Sequence, residues 1–190
     1  MSAETPRYTL WLDCEFTGLS AEDDLLLEVG AIVTEGLFDE VDSYEAVVAQ
    51  NPLAVAVRMS QDKWWPSRPD HRDKMMSDIE QSTKSLEMVD GELAGFAGQY
   101  VTNGIVPAGN SPTTDRQFIS RDLPQFNNLL HYRTIDVSSF KEVARRLGIE
   151  EYQKTEQHRV LADARESIQE LEYLLKKLGS PATRHLIENR

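Results

Sequence analysis

Residues 8–20, YTLWLDCEFTGLS, place two acids, Asp13 and Glu15, at the end of a run of apolar and aromatic residues. Successive side chains of an extended strand point to opposite faces, so both acids lie on one face together with Trp11. The other face is apolar and consists of Leu10, Leu12, Cys14 and Phe16. A carboxylate is costly to bury unless it is paired or bound to a metal. The strand therefore predicts a cleft in which two acids need a compensating cation.

The segments that follow this strand predict the opening of an α+β fold. Residues 17–24, TGLSAEDD, are typical of a turn. LLLEVGAIVTEG at 25–36 and SYEAVVAQ at 43–50 predict two more strands, with the short connections that antiparallel neighbours use. GIVPAGNSP at 104–112 predicts a short buried strand that enters a loop, and YRTIDV at 132–137 predicts a further strand.

Four helices are predicted after residue 86. Residues 87–103 have helical spacing, a second helix carries Asp115, Phe118 and Ile119, and Ser139 with Glu142 has the spacing of a capping box at the start of a third. Residues 158–178 predict a long final helix with one apolar face. The stripe on that face consists of Leu161, Ile168, Leu171, Leu174, Leu175 and Leu178.

The segment from Pro52 to Ser82 has no clear periodicity. It contains Pro66 and Pro69 beside the adjacent pair Trp64 and Trp65. Prolines restrict the backbone and interrupt helices. We therefore expect a loop with short helices that lies over the predicted cleft.

Length and charge limit the classes of protein that fit. A chain of 190 residues is enough for one ordinary domain, which we place at 7–178 with a C-terminal tail at 179–190. The formal net charge of −12 argues against a broad basic surface for long nucleic acids, since phosphate binding relies mostly on Lys and Arg. It leaves room for short nucleic acids, because bound metals reverse the charge that an anionic substrate meets.

Cysteine usage and hydropathy bear on the compartment. The single cysteine, Cys14, has no partner in the chain for a disulfide and fits a small buried residue in a reducing compartment. The start, MSAETPRYTL, lacks the basic flank and apolar stretch of a secretory signal, and no segment is long and apolar enough for a membrane span. We expect a cytoplasmic protein without membrane contact.

Two further acids have a distinctive setting. Asp115 follows a Gly-Asn-Ser-Pro loop, with Thr113 or Thr114 as a candidate helix N-cap, and its ordinary role there is a helix-dipole contact. Asp163 lies five residues after His158, which puts the two groups on nearby faces of one helix at different heights. That arrangement lets one group hold a metal while the other reaches a water. The ordinary alternative for both is a solvated helix face.

Three segments in order resemble the exonuclease motifs of the DEDD superfamily in its histidine-containing branch, which includes RNase T and the proofreading subunit of bacterial DNA polymerase III. They are DCEFTGL at 13–19, AGNSPTTD at 108–115 and HRVLADA at 158–164. The strongest resemblance is to the oligoribonuclease family and covers residues 7–178. It rests on WLDCEFTGL at 11–19, GNSPTTDRQFI at 109–119, HYRTIDVSSFKEVARR at 131–146 and ADARESIQELEYL at 162–174.

The resemblance implies an RNase H-like α/β fold, with a central mixed five-stranded sheet flanked by helices, and a homodimer. It also implies a 3′-to-5′ exoribonuclease that converts oligoribonucleotides of two to five nucleotides into 5′-mononucleotides. Two divalent ions, Mg²⁺ or Mn²⁺, about 3.5–4 Å apart supply the nucleophile and neutralise charge on the phosphate in such enzymes.

The resemblance assigns roles to five residues. Asp13 bridges the two ions, and Glu15 with Asp163 completes the shell of the first. Asp115 supports the second ion through water. His158 is the general base, since an imidazole with an ordinary pKa near 6.5 can take a proton at neutral pH.

Contacts to substrate are also implied. Leu19 resembles the family's apolar wedge between the last two bases, and Trp64 or Trp65 is a candidate for stacking on a base. A cap over the 5′ phosphate corresponds to Ser111, Arg133 and Ser138. His131 and Tyr132 are expected near the site of the dimer partner.

The sequence departs from the family pattern at 62–75, DKWWPSRPDHRDKM, which has a doubled tryptophan and two prolines. The assignment of the stacking residue, and of His71 as a contact, is open on this account. Two other functions also stay open at this stage. One is a 3′-to-5′ exonuclease on single-stranded DNA, of proofreading or repair type. The other is a catalytically silent nucleic-acid-binding module.

Overall fold

The computed structural model describes residues 7–101, 104–154 and 159–179. Five strands form one mixed sheet in the order β3-β2-β1-β4-β5. They are β1 (Tyr8–Phe16), β2 (Leu26–Glu35), β3 (Asp39–Val47), β4 (Val106–Gly109) and β5 (Ile135–Asp136). The first three are antiparallel neighbours, and β4 and β5 run parallel to β1. The predicted five-stranded mixed sheet is confirmed.

Helices cover both faces of this sheet. They are α1 (Pro52–Gln61), α2 (Pro69–Gln81), α3 (Leu86–Gly98), α4 (Pro112–Asp122), α5 (Pro124–Asn127), α6 (Val137–Arg146) and α7 (Val160–Leu178). A 3₁₀ turn at Trp65–Ser67 separates α1 from α2. None of the helices in the described ranges has the length and apolar character that crossing a bilayer requires.

The alternation predicted for β1 decides which helices pack on which face. Leu10, Leu12 and Cys14 belong to the core under α3, α4 and α5. Trp11 belongs instead to the core that α6 and α7 form on the opposite face. Because side chains alternate along a strand, Asp13 and Glu15 also point to the α7 side.

The close approach of α7 to the sheet depends on Gly30 of β2, which pairs with Asp13 of β1. A Cβ atom added to Gly30 would lie 2.7 Å from the Cβ of Val160, the first residue of α7. Any side chain there would push the helix away. The glycine therefore lets the first turn of α7 reach the acids of β1.

The region from Pro52 to Ser82 is more regular than predicted. It consists mostly of two helices, α1 and α2, because Pro52 and Pro69 each occupy the first turn of a helix. A proline is harmless there, since the N–H that it lacks has no helical partner at that position. The side chain of Asn51 also caps α1 by accepting from the backbone N–H groups of the next turn. The prediction of a loop with short helices was wrong on this point.

Both predicted N-caps were wrong. The helix that carries Asp115 begins at Pro112, so Thr113 and Thr114 lie inside its first turn and Ser111 precedes it.

The helix at 137–146 is capped by Asp136, whose carboxylate accepts from the N–H of Ser138 at 3.0 Å. The expected capping box between Ser139 and Glu142 does not form, because the helix begins at Val137 and Ser139 lies inside its first turn, where its hydroxyl donates to Asp136 Oδ2 at 2.9 Å. Glu142 pairs with Arg145 and Arg146.

Candidate active site

Three of the predicted metal ligands meet at the end of β1. One carboxylate oxygen each of Asp13, Glu15 and Asp163 lie within 4.8 Å of one another. Asp13 and Glu15 come from alternate positions of the strand, and Asp163 comes from the first turn of α7. Gly30 makes this possible by letting α7 approach the sheet. The five-residue spacing from His158 did not reveal this contact; the tertiary packing creates it.

Burial makes this cluster costly when the carboxylates are charged. It raises the pKa of Glu15 to about 8, the charges of Asp163 and Glu28 add to the rise, and the Arg159 cation opposes it. Burial also raises the pKa of Asp13 well above its ordinary value, with the charges of Asp115, Glu15 and Asp163 in addition. Like charges in a poorly solvated cleft are stabilised by a cation.

Asp115 lies beside the three-carboxylate group but outside it. It sits in the first turn of α4 with 7% of its surface exposed. Burial raises its pKa to about 7, and hydrogen bonds from its own N–H and from Cys14 act in the opposite direction. Its charge has the largest effect of any carboxylate on the pKa of Asp13. Cys14 is buried as expected, and it also hydrogen bonds to Asp115.

A cleft of about 460 Å³ opens above Asp13, Glu15 and Asp115. Its other lining residues are Cys14, Phe16, Gly18, Leu19, Asp62, Trp64, Trp65, Asn110, Ser111 and Thr114. The structure thus brings together seven of the thirteen predicted site residues in one cleft lining. The cavity falls in the size range of sites for small ligands.

The first of the predicted substrate contacts is the apolar side chain of Leu19. Leu19 is 77% exposed and stands at the rim, on a loop that Asp24 holds by accepting from Thr17 Oγ1 at 2.9 Å and from Ser20 N–H at 3.0 Å. A large exposed apolar side chain at a cleft rim fits contact with a ligand better than a packing role.

The two adjacent tryptophans have different environments. Trp65 is 2% exposed, its indole N–H donates to the carbonyl oxygen of Phe16 at 3.0 Å, and its ring stacks on His71. Trp64 is half-buried, and the guanidinium of Arg68 lies 4.7 Å from its ring. Trp65 therefore packs in the core beneath the cleft, and Trp64 offers the more accessible ring. His71 contacts the tryptophans, and the described cleft lining does not include it.

Ser111 has an unusual backbone conformation at the edge of the cleft. Its φ of 55° lies in the left-handed region, which non-glycine residues seldom adopt. Its N–H donates to Asp136 Oδ1 and its hydroxyl to Ser138 Oγ, both at 3.0 Å. These bonds join two of the three predicted phosphate-capping residues, Ser111 and Ser138.

The other residues predicted for the cap and the partner site lie together on the segment before β5. His131 and Tyr132 have ring centroids 4.4 Å apart, and the guanidinium of Arg133 lies 5.3 Å from the Tyr132 ring. Within the described part of the chain, these three residues and Ser138 line neither the cleft of about 460 Å³ nor a smaller cleft beside Asp163. The predicted general base, His158, lies outside the described residues.

A smaller cleft of about 240 Å³ adjoins the acids on the α7 side. It contains Asp13 and Asp163 together with Arg68, Asn110, Lys154, Glu166 and Ser167. Sequence reasoning missed these five residues. Asn110 could have been predicted, because it belongs to the AGNSPTTD segment at 108–115. Arg68 and Lys154 lie in stretches without periodicity, so only the fold reveals them.

The donor set fits a divalent cation. Hard ions such as Mg²⁺ and Mn²⁺ prefer carboxylate oxygens, and they need only a few of these because they keep several waters. The carboxylates of Asp13, Glu15 and Asp163 converge here with Asp115 beside them. Burial raises the pKa of Asp13, Glu15 and Asp115. The geometry supports a divalent metal centre at the floor of the cleft.

Comparison with known proteins agrees with this geometry. The family described as Exonuclease (RNase_T) matches residues 10–171. The oligoribonuclease of Nocardia farcinica is 39% identical over 181 residues, which cover 88% of this chain and 79% of the relative. The human mitochondrial oligoribonuclease is 33% identical over 189 residues, with 95% and 78% covered.

Solved structures show the same fold at low identity. Exonuclease I from Methylocaldum szegediense matches with a TM-score of 0.61 at 15% identity, covering 96% of this chain. The chain spans 43% of the length of that exonuclease I. Pop2p of S. pombe, in a form with bound Mg²⁺ and Mn²⁺, matches with a TM-score of 0.60 at 11% identity, with 93% and 86% covered. With its RNase H-like fold and its sequence relatives, this chain belongs to the oligoribonuclease family of DEDD-superfamily exonucleases.

Proposed function

We propose that the protein is a metal-dependent 3′-to-5′ exoribonuclease that hydrolyses short oligoribonucleotides to 5′-mononucleotides. The observation that carries this proposal is the convergence of Asp13, Glu15 and Asp163 within 4.8 Å at the floor of a cleft. Membership of the oligoribonuclease family supports the choice of RNA and of short substrates. A cleft of about 460 Å³ suits a few nucleotides better than a long strand.

The carboxylates hold the metal ions in this proposal. Asp13, Glu15 and Asp163 would hold one ion, Mg²⁺ or Mn²⁺, and Asp13 with Asp115 would hold the other. Bound divalent ions supply a hydroxide nucleophile near neutral pH and neutralise the charge that develops on the phosphate. The protein's own contribution is to fix these oxygens on β1, α4 and α7 before substrate arrives.

His158 is the proposed general base. A neutral imidazole takes the proton of the attacking water at Nδ1 or Nε2 as the water oxygen bonds to phosphorus. The bond between phosphorus and the ribose 3′ oxygen breaks, and that oxygen takes up a proton from solvent. In the chain His158 directly precedes Arg159, which lies at the start of α7.

Recognition of the substrate involves the rim of the cleft. Leu19 wedges between two bases, and the half-buried Trp64 stacks on one of them. Ser111 and Ser138, already joined by a hydrogen bond of 3.0 Å, bind the 5′ phosphate with Arg133. An arginine suits this role because its guanidinium holds phosphate in a two-pronged contact.

The remaining parts of the proposal concern organisation. Residues 7–178 act as a single exonuclease domain, and the predicted tail lies, apart from Gly179, outside the described residues. The protein forms a homodimer in which His131 and Tyr132 of one protomer reach the site of its partner. Tyr132 is 73% exposed in the single chain, which leaves its ring accessible for such a contact. We place the enzyme in the cytoplasm.

The test of the activity is a time course with 5′-labelled RNA of two, five and twenty nucleotides beside matched DNA. We expect fastest release of mononucleotides from the RNA dinucleotide with Mn²⁺, and none with EDTA. Hydrolysis that persists in EDTA would refute metal dependence. Trimming of the twenty-nucleotide DNA as fast as any RNA would instead support a DNA exonuclease and refute the phosphate cap. Binding of RNA without any hydrolysis would support a silent binding module.

The two tryptophans give a paired prediction. Trp64→Ala is expected to raise KM for the RNA dinucleotide by about tenfold, because a stacked base contributes ~1–3 kcal/mol, and to lower the thermal unfolding midpoint by less than Trp65→Ala does, because its ring is only half-buried against the core. Trp65→Ala is expected to lower that midpoint by about 10 °C, because removing a fully buried tryptophan costs about 3–5 kcal/mol. Steady-state kinetics and thermal unfolding of both variants check the assignment. Equal KM values for Trp64→Ala and the unaltered protein would contradict it.

A further inference from the structure

A buried ion-pair network lies next to the carboxylate cluster. The guanidinium of Arg159 donates to Glu28 of β2 and to Asp78 of α2, and both bonds are 2.7 Å long. Glu28 is 1% exposed, and the Arg159 side chain is 29% exposed. Charge-assisted bonds of this length, with Glu28 fully buried, hold their partners in one geometry.

The network is connected to the proposed metal ligands on both sides. Glu28 pairs with Glu15 across the β1–β2 ladder. The carbonyl oxygen of Arg159 accepts from the N–H of Asp163 at 2.9 Å, which is the first helical bond of α7. Arg159 therefore touches the backbone of one ligand and binds the strand neighbour of another.

We infer that Arg159 is a positioning residue for the metal centre: its ion pairs fix the first turn of α7 against β2 and α2 and thereby hold Asp163 beside Asp13 and Glu15. The inference rests on the proposed function, because it assumes that these carboxylates bind divalent metal. Val160, the next residue, packs closely against Gly30 of β2. The start of α7 is therefore held by this contact as well as by the ion pairs of Arg159.

Another arginine on the same helix provides a matched control. Arg165 forms a two-pronged ion pair with Glu40, with bonds of 2.8 and 3.0 Å. That pair is considerably exposed, with side-chain exposures of 43% and 36%. It lies nearly two turns further along α7, and Arg165 lines neither cleft in the described part of the chain. The two arginines thus offer the same chemistry with and without a connection to the start of the helix.

The experiment compares Mn²⁺ binding by titration calorimetry in Arg159→Gln, Arg159→Lys, Arg165→Gln and the unaltered protein, at a temperature where circular dichroism shows all of them folded. We expect Arg159→Gln to weaken Mn²⁺ binding by about 10–100-fold, the usual effect of losing a residue that orients metal ligands. Arg159→Lys is expected to fall between, because an ammonium lacks the fork that reaches both partners. Arg165→Gln should bind Mn²⁺ like the unaltered protein.

Each outcome bears on a separate claim. A folded Arg159→Gln protein that binds Mn²⁺ with unchanged affinity would overturn the positioning role, even if its unfolding midpoint falls. If Arg159→Gln does not fold, Glu28→Gln takes its place, since it removes the charge and keeps an oxygen acceptor for Arg159; unchanged Mn²⁺ affinity there would also overturn the inference. Failure of the unaltered protein to bind Mn²⁺ and to cleave the RNA dinucleotide would instead refute the proposed function.

Discussion

The Asp13→Asn protein is expected to release mononucleotides from an RNA dinucleotide at least about a thousandfold more slowly than the unaltered enzyme. Asp13 lies close to the other acids: its carboxylate is in the group with Glu15 and Asp163, and the charges of Asp115, Glu15 and Asp163 all raise its pKa. Replacing its carboxylate by an amide removes one negative charge and one ligand oxygen from both proposed ions. The neutral side chain has nearly the same shape, so the fold should not change.

Single-turnover rates at saturating Mn²⁺ test this expectation. The control is Asp39→Asn, which removes a carboxylate at the exposed start of β3 and should leave the rate unchanged. The circular dichroism spectrum of each variant separates loss of activity from loss of fold. The bound metal is expected to lower the activation barrier by several kcal/mol. A rate for Asp13→Asn within a factor of about ten of the unaltered enzyme's rate would therefore contradict the catalytic role.

The metal-free Glu15→Gln protein is expected to be more stable than the metal-free unaltered protein at pH 8. Folding raises the pKa of Glu15 to about 8, chiefly by burial, from an ordinary value of 4.5. A carboxyl whose pKa rises on folding gives its full stability below the unfolded pKa and loses it as the pH rises through the folded pKa. Glutamine stays neutral throughout. At pH 8 the substitution should therefore add on the order of 2–4 kcal/mol, or about 5–10 °C in unfolding midpoint.

Saturating Mn²⁺ should reverse this order. A ligand that binds only the folded state adds about 4.1 kcal/mol at a thousand times its dissociation constant, which offsets the expected advantage of about 2–4 kcal/mol for Glu15→Gln, and the unaltered protein binds Mn²⁺ better. Thermal unfolding at pH 5 and pH 8, with EDTA and with Mn²⁺, measures all four conditions. Glu80→Gln, on the exposed face of α2, is the matched control and should show neither effect. A Glu15→Gln protein that is less stable than the unaltered protein in EDTA at pH 8 would contradict the electrostatic account.

The sequence was most informative where periodicity and burial coincide. The alternation in β1 predicted correctly that Trp11 faces one core and Leu10 and Leu12 face the other. It therefore also predicted the shared face of Asp13 and Glu15. Local pattern suffices here because side chains alternate between the two faces of a strand, so two residues that are two apart share a face.

The sequence pattern gave wrong predictions where one residue type, proline, can either begin a helix or interrupt it. Pro66 and Pro69 were expected to interrupt helices within 52–82, yet Pro69 begins α2, just as Pro52 begins α1. The interrupting effect of proline depends on its position in the helix, and sequence alone does not show where a helix starts. The same ambiguity misplaced the N-caps at Thr113, Thr114 and Ser139.

Contacts between distant segments were beyond the reach of the sequence. The Arg159 network joins residues 81 and 131 positions apart, and nothing in its flanking pattern marks it. Lys154 lines the smaller cleft beside Asp163, and no feature of its flanking sequence predicts that position. The sequence left open which of the two adjacent tryptophans contacts substrate. The structure shows Trp65 buried beneath the cleft, so Trp64 has the more accessible ring.

The measurement that tests the central claim most directly is anomalous diffraction from crystals of the protein grown with Mn²⁺ and a non-hydrolysable RNA dinucleotide analogue. The carboxylate site predicts anomalous peaks in contact with Asp13, Glu15 and Asp163 and beside Asp115, with the phosphate of the analogue next to them. Crystals at saturating Mn²⁺ whose anomalous peaks all lie away from these carboxylates would contradict it.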